Sequence, residues 1–261
     1  MYPILNVAIC AIRNGGNIII NRYYNNINYD IKNIQNNKNY HISLIHNIIY
    51  KTEKVMIAKI LKFYPNHIIL NQKNTTFIKK TNIIWDLQPI YGTKNFIKNI
   101  PHFCLSIAIY IKNKIAFSVI YDPIRDELFT AIQGKGTQLN KNRIRCNNSF
   151  NINNSIISIS HITNYVQKKF FLDNIFKNFL NAKINLRITG CIILEFMYLS
   201  SGKLDFVIDF NQKKKIFDIG KLYIKESGGL VTSLKDINNN ILGMCYVSNN
   251  KCMQFIKNIF K

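Results

Sequence analysis

Trp85-Asp86-Leu87-Gln88-Pro89-Ile90-Tyr91-Gly92-Thr93-Lys94-Asn95-Phe96 holds the only tryptophan of the chain and turns at Gly92-Thr93. Downstream, over 103–111, large apolar residues fall at odd positions with Cys104, Ser106 and Ala108 between them, and this period of two predicts a strand. Asn113-Lys114 offers a turn into a second strand over 115–121, and 127–132 supplies a third before Gly134-Lys135-Gly136, giving an antiparallel meander. Upstream, Ile4, Leu5, Ala8, Ile9 and Ile12 describe one helix face running to about Gly15-Gly16 or somewhat beyond. Residues 21–41 are rich in Asn and Tyr with little periodicity and are expected to be a loop or a degraded segment rather than a linker. Helical spacing resumes at Val55 and ends at Tyr64-Pro65, where proline forces an exit, and 67–70 follow as a buried strand. The second half alternates: strand 155–160, helix 164–180, strand 184–188, helix 191–201, strand 204–210, helix 216–227, strands 229–233 and 244–248, and a closing helix. The fold class expected is α/β, an α+β layered sandwich, and with no repeat and no Pro/Gly/Ser-rich linker the chain is read as one domain, 1–261.

With 261 residues, 48% hydrophobic and 18% charged, the chain is long enough for a large core and excludes wholesale disorder. No run approaches the roughly 18 consecutive apolar residues of a membrane span, and Met1-Tyr2-Pro3-Ile4-Leu5-Asn6 lacks the basic start of a signal peptide, so a cytoplasmic protein is expected. Lys and Arg number 35 against 13 Asp and Glu, a formal charge of +22, which is the footprint of a nucleic-acid or acidic-surface binder. The same excess is expected from an AT-rich genome, because a third of the chain is Ile or Asn; charge alone leaves both readings open. The six cysteines show no C-x-x-C spacing and are expected to be reduced, mostly core residues, and the five histidines form no zinc-type pair.

The stretch from Trp85 to Phe96 resembles the inositol monophosphatase family signature W-x-x-D-P-x-D-G-T-x-N-F. Tyr121-Asp122-Pro123, Glu127-Leu128-Phe129 and Gly134-Lys135-Gly136 with Leu139-Asn140 fit the same family. Pro3-Ile4-Leu5-Asn6-Val7-Ala8, Leu186-Arg187-Ile188-Thr189-Gly190 and Glu226-Ser227-Gly228-Gly229 look most like its bacterial SuhB (Nus factor) branch. The resemblance implies the family's fold of alternating helix and sheet layers. It also implies an activity, the Mg²⁺-dependent hydrolysis of inositol-1-phosphate to inositol and phosphate, in which the metal activates water and stabilises the leaving oxygen.

That chemistry needs clustered carboxylates, since Mg²⁺ takes hard oxygen ligands. At the positions to which the resemblance assigns them, this chain carries Gln72 followed by Lys73, then Gln88 and Tyr91; only Thr93, which in the family helps hold the attacking water, is kept in that turn. The last ligand, the Asp of W-D-x-A-A-G, falls on Ile216 in an ungapped alignment from Asp209 to Gly228-Gly229. A gapped alignment places Asp218 there, but deletes two helix residues and rotates the apolar face by about 200°. The further aspartates expected before the second helix are absent from Ser43-Leu44-Ile45-His46-Asn47-Ile48-Ile49. Gly92, Gly190 and Asp209 match substrate-pocket positions, while Cys191-Ile192-Ile193 replaces small residues of the substrate cradle. Lys73 adds positive charge where cations should sit. The expectation is therefore that no metal or other cofactor is bound and that catalysis is lost.

Two classes of function follow. The resemblance to the SuhB branch implies a homodimeric Nus factor of the ribosomal-RNA antitermination complex. Its partners there are NusA and RNA polymerase, with NusB, NusG and ribosomal proteins, and rRNA contact is possible in that setting. The alternative is a phosphatase that has enlisted Asp86, Asp122, Asp126 or Asp218 as replacement ligands. A third reading, general RNA binding by charge, has no RNP, KH or zinc-knuckle motif behind it, and Lys213-Lys214-Lys215 reads as a solvated loop. No P-loop and no G-x-S-x-G elbow is present.

Overall fold

The computed structural model describes residues 2–29, 38–70, 81–149, 151–152, 155–160, 162, 169, 176–177, 179, 184–210, 213–235 and 241–259. Two compact units divide the chain, Met1–Thr130 and Ala131–Lys261. The boundary lies within the strand Glu127–Ile132, where no linker composition announces it.

In the first unit, α1 (Pro3–Tyr29) and α2 (Lys38–Phe63) precede β1 (Ile68–Leu70), β2 (Ile83–Tyr91) and the short α3 (Thr93–Ile97). The strands β3 (Cys104–Ile111), β4 (Lys114–Asp122) and β5 (Glu127–Ile132) follow, and the sheet runs β1-β2-β3-β4-β5. β1 lies parallel to β2, whereas β2, β3 and β4 are antiparallel, as the meander requires. Lys112 and Asn113, with φ of 50° and 63°, form the two-residue turn that matches the strand twist between β3 and β4.

Two expectations are corrected here. Residues 21–29 continue α1 rather than forming a loop, and α2 starts at Lys38 instead of near Val55. The cause is burial: Ala8, Ile12, Ile19 and Tyr23 stay on one covered face, and the Tyr23 hydroxyl donates to the Asn99 carbonyl at 2.8 Å. On α2 the covered face is Ile45, Ile48, Thr52, Met56 and Ile60, with a polar residue in its centre. Asn21 and Asn25, which broke the apolar period, are exposed on α1. Gly15-Gly16 does not end α1, because the pair serves close approach: a Cβ on Gly15 would meet Met56 Sδ at 2.8 Å, and one on Gly16 would meet the Tyr121 ring at 2.5 Å. By length and composition α1 is the one helix among the described residues able to cross a membrane. Its apolar face is taken up instead by α2, β3 and β4.

Trp85 is fully buried, and its indole N–H donates to His67 Nδ1 at 2.9 Å while the His67 ring stacks on Tyr64 at 4.7 Å. Burial lowers the His67 pKa from the usual histidine value of 6.5. The imidazole therefore contributes its full stabilisation above pH 6.5, and loses it as pH falls through the lowered folded value. Melting curves at pH 7.5 and pH 5 should show a stability gap between the wild type and His67→Asn that narrows on acidification. A gap independent of pH would remove the histidine from this role.

The second unit opens with a hairpin, β6 (Gly136–Leu139) and β7 (Asn142–Ile144). It continues with β8 (Ile156–Ile159), β9 (Asn185–Arg187), α4 (Ile192–Ser200), β10 (Phe206–Asp209), α5 (Lys214–Glu226), β11 (Leu230–Lys235), β12 (Ile241–Val247) and α6 (Asn250–Ile259). The sheet order is β11-β12-β10-β8-β9, with β8 parallel to both β9 and β10 and β12 antiparallel to both β10 and β11. Ile157, Ile159, Phe206, Ile208, Cys245 and Val247 form its core. The expected alternation of strands and helices is present within a residue or a few at each end, while the helix expected over 164–180 falls largely outside the described residues. All six cysteines are free, and only Cys10 is exposed.

Gly134-Lys135-Gly136 is a backbone device. Gly134 and Gly136 adopt φ of 73° and 92°, and their amides donate to the two carboxylate oxygens of Glu226 at 2.7 and 2.9 Å. Glu226→Ala should cost about 2 kcal/mol in urea unfolding, as expected for amide bonds to a charged acceptor. Glu226→Gln, which keeps one acceptor oxygen, should recover part of that loss.

Candidate functional site

In the first unit the positions that the resemblance assigns lie where β2 runs into α3. A register shift between Gln88 and Tyr91 admits Pro89, which has no N–H to give to the ladder. The Gln88 side chain turns back on this bulge and donates from Nε2 to the Ile90 carbonyl at 3.1 Å. Tyr91 pairs with Cys104 of β3. Gly92 then takes a left-handed conformation, φ 83° and ψ 34°, and its carbonyl accepts from the Phe96 amide at 3.0 Å, starting α3 at Thr93. Gln88, Tyr91, Gly92 and Thr93 are thus brought to one turn, whereas Gln72 lies outside the described residues.

Asn95 holds the turn in place. It is buried, and its amide donates to the His102 carbonyl at 2.8 Å, while Phe96 packs edge-on to Phe103 at 5.2 Å. Motif matching includes Asn95 without giving it a task; its donor role becomes visible only once the 99–102 turn brings the acceptor to it.

In the second unit, Asp209 ends β10, buried and paired in register with Met244 of β12. The Tyr246 ring lies 4.5 Å from Phe196, and its hydroxyl is held protonated by burial first and by the negative charge of Asp209 second. Gly190, at φ 83°, precedes the buried Cys191 that opens α4. Thr189 donates to Oε1 of Glu195 at 2.6 Å, a bond that ties the Gly190 turn to the first turn of α4. Sequence reasoning missed Glu195, a buried carboxylate in an otherwise apolar helix, and an acid in such a run was the available signal. Ile216 is buried in the first turn of α5, and Gly220 lets the Phe196 ring lie against that helix.

The donor set at these positions does not fit Mg²⁺. An amide already engaged with the backbone, a phenol and an alkyl side chain offer none of the anionic oxygens that the ion takes. The aspartates available as substitutes have other work. Asp122 accepts from the Ile124 and Arg125 amides at 2.9 and 3.2 Å and from the Arg125 guanidinium at 2.7 Å. Asp126 accepts from the Tyr121 hydroxyl at 2.9 Å and from Arg13 at 2.8 Å, and both bonds hold its pKa below the usual carboxylate value, the tyrosine bond most strongly. Asp218 pairs with Lys214 at 2.8 Å, and Asp86 is buried within β2, between β1 and β3.

Comparison with known proteins agrees with the fold. Over 238 residues the chain is 45% identical to the Nus factor SuhB of Buchnera aphidicola subsp. Schizaphis graminum, covering 90% of this chain and 86% of that protein. Over 244 residues it is 31% identical to the Nus factor SuhB of Escherichia coli K12, covering 93% and 89%. The crystal structure of the extragenic suppressor protein suhB from Bartonella henselae has the same fold, with a TM-score of 0.79 at 23% identity over the whole of both chains. Since the family profile itself matches residues 1–251, spanning the Gly92 turn, the meander and the five-stranded sheet, the chain belongs to the inositol monophosphatase family.

Proposed function

We propose that this chain is a SuhB-type Nus factor of the ribosomal-RNA transcription antitermination complex, supporting rRNA transcription and co-transcriptional rRNA folding without phosphatase chemistry. It works in the cytoplasm as a homodimer, alongside NusA, RNA polymerase, NusB, NusG and ribosomal proteins. The observation that carries the reading is the Gln88 side chain, which occupies a family ligand position and is spent bracing the β2 bulge through the Ile90 carbonyl. A scaffold needs the fold and its surfaces rather than metal ligands, and relatives in Buchnera and Escherichia coli carry the name Nus factor SuhB, which supports this reading.

The test is binding of the purified chain to its matched NusA at physiological salt, with and without RNA polymerase and leader RNA, before and after chelator. Saturable binding that survives the chelator is expected, and no binding to any of these partners would sink the reading. The competing function, a Mg²⁺-dependent inositol-1-monophosphatase, draws support from membership of the family and, within the site, from Thr93 and Asp209. It requires that Mg²⁺ raise the melting temperature, since any ion that binds the folded state stabilises it.

A further inference from the structure

Between α1 and α2 of the first unit lies a cleft of about 330 Å³, lined by Asn21, Arg22 and Asn25 on one side and Asn47 and Lys51 on the other, with Ile18 and Ile48 forming its apolar part. Arg22 Nε is shielded from water there, and has no hydrogen-bond acceptor among the described residues. A guanidinium nitrogen removed from water without an acceptor is costly, and an anionic oxygen is the ligand that relieves it best. Neither helix supplies one to solvent: α1 carries no acid at all, and Glu53, the single acid of α2, is buried. From Lys51 the cationic row continues along the exposed side of α2 through Lys54 to Lys62, a rise of about 16 Å at helical spacing. Tyr50, half exposed beside Lys51, adds an aromatic face.

We infer that this cleft and the α2 lysine row form a binding track for single-stranded RNA, with a backbone phosphate seated against Arg22 and Lys51. Lysines in a row with an aromatic neighbour suit an extended polyanion whose bases stack, and a free phosphate would leave the row and Tyr50 unused. The track stands independently of the antitermination reading: a chain that binds RNA here but ignores NusA refutes that reading alone.

The experiment is fluorescence anisotropy of the full chain with a 20-nucleotide single-stranded RNA of mixed sequence, titrated from 50 to 200 mM salt. The double variant Arg22→Gln, Lys51→Gln should weaken binding about five-fold or more, and should flatten the salt dependence by about 0.7, the slope for the one phosphate of a single strand left without its cations. Lys51→Gln with Lys54→Gln, both on the exposed side of α2, tests the row without touching a partly buried residue. Lys225→Gln with Lys251→Gln removes equal charge in the second unit and should change affinity by less than about two-fold. An equal loss in that control would make the binding diffuse and overturn the track, as would the absence of saturable RNA binding at 50 mM salt. Inorganic phosphate that stabilises the wild type but not Arg22→Gln, without RNA binding, would make the cleft a small-anion site and overturn it equally.

Discussion

Gly92→Ala is expected to destabilise the chain by about 3 kcal/mol, roughly half from the left-handed backbone and half from overpacking. The two costs have separate origins. At φ +83° any Cβ is strained, and here it would also lie 2.8 Å from the His102 carbonyl oxygen and 3.2 Å from Phe103 Cα, both backbone atoms that cannot turn away. Gly134→Ala supplies the comparison, because its φ is +73° while an added Cβ meets nothing within 4 Å. That variant should lose only about 1 kcal/mol. Urea midpoints at unchanged m-value measure both, and equal losses would show that the Gly92 turn yields to the added methyl.

Asp122→Ala should cost about 3 kcal/mol, the upper end of the scale for leaving buried hydrogen-bond donors to a charged group unsatisfied, although its partner Arg125 is 39% exposed. Its carboxylate is fully buried and closes the β4–β5 turn through two backbone amides and the Arg125 guanidinium, which also donates to the Pro101 carbonyl at 2.9 Å. Alanine would leave those amides without an acceptor and Arg125 without its counter-charge. Asp122→Asn keeps one oxygen for the amides and should retain about half the stability at stake. A loss below about 1 kcal/mol for alanine would place the turn's stability elsewhere. Mg²⁺ that stabilises the wild type but not the asparagine variant would return Asp122 to the role of a ligand.

The meander was legible because its signals are local: alternation over 103–111, a turn expected at 113–114 and found one residue earlier at 112–113, and a third strand follow in order, and neighbours in sequence pair in space. The helix pair was misread where tertiary contact decides. Tyr23 holds the end of α1 by reaching Asn99, seventy-six residues away, and no window of sequence contains that bond. Gly15-Gly16 looked like a stop because glycine weakens helices, whereas here its lack of a Cβ lets Met56 and Tyr121 approach. At the candidate site the departures from the family motif were plain, since a missing carboxylate is an identity. What Gln88, Asn95 and Glu195 do instead depends on the Ile90 and His102 carbonyls and the Thr189 hydroxyl, whose positions only the folded turns define.

The strand orders of the two units imply different histories during synthesis. In the first unit β2, β3 and β4 join neighbours in sequence, so that sheet can close while later residues are still being made. In the second, β8 waits for β10 some fifty residues downstream, where the Ser160 amide meets the Ile208 carbonyl at 2.8 Å. β12, the last strand in the chain, then slots between β10 and β11. Until it arrives both neighbours present open edges, Asp209 among them, so a nascent chain stalled before residue 241 is most exposed to aggregation along those two strands.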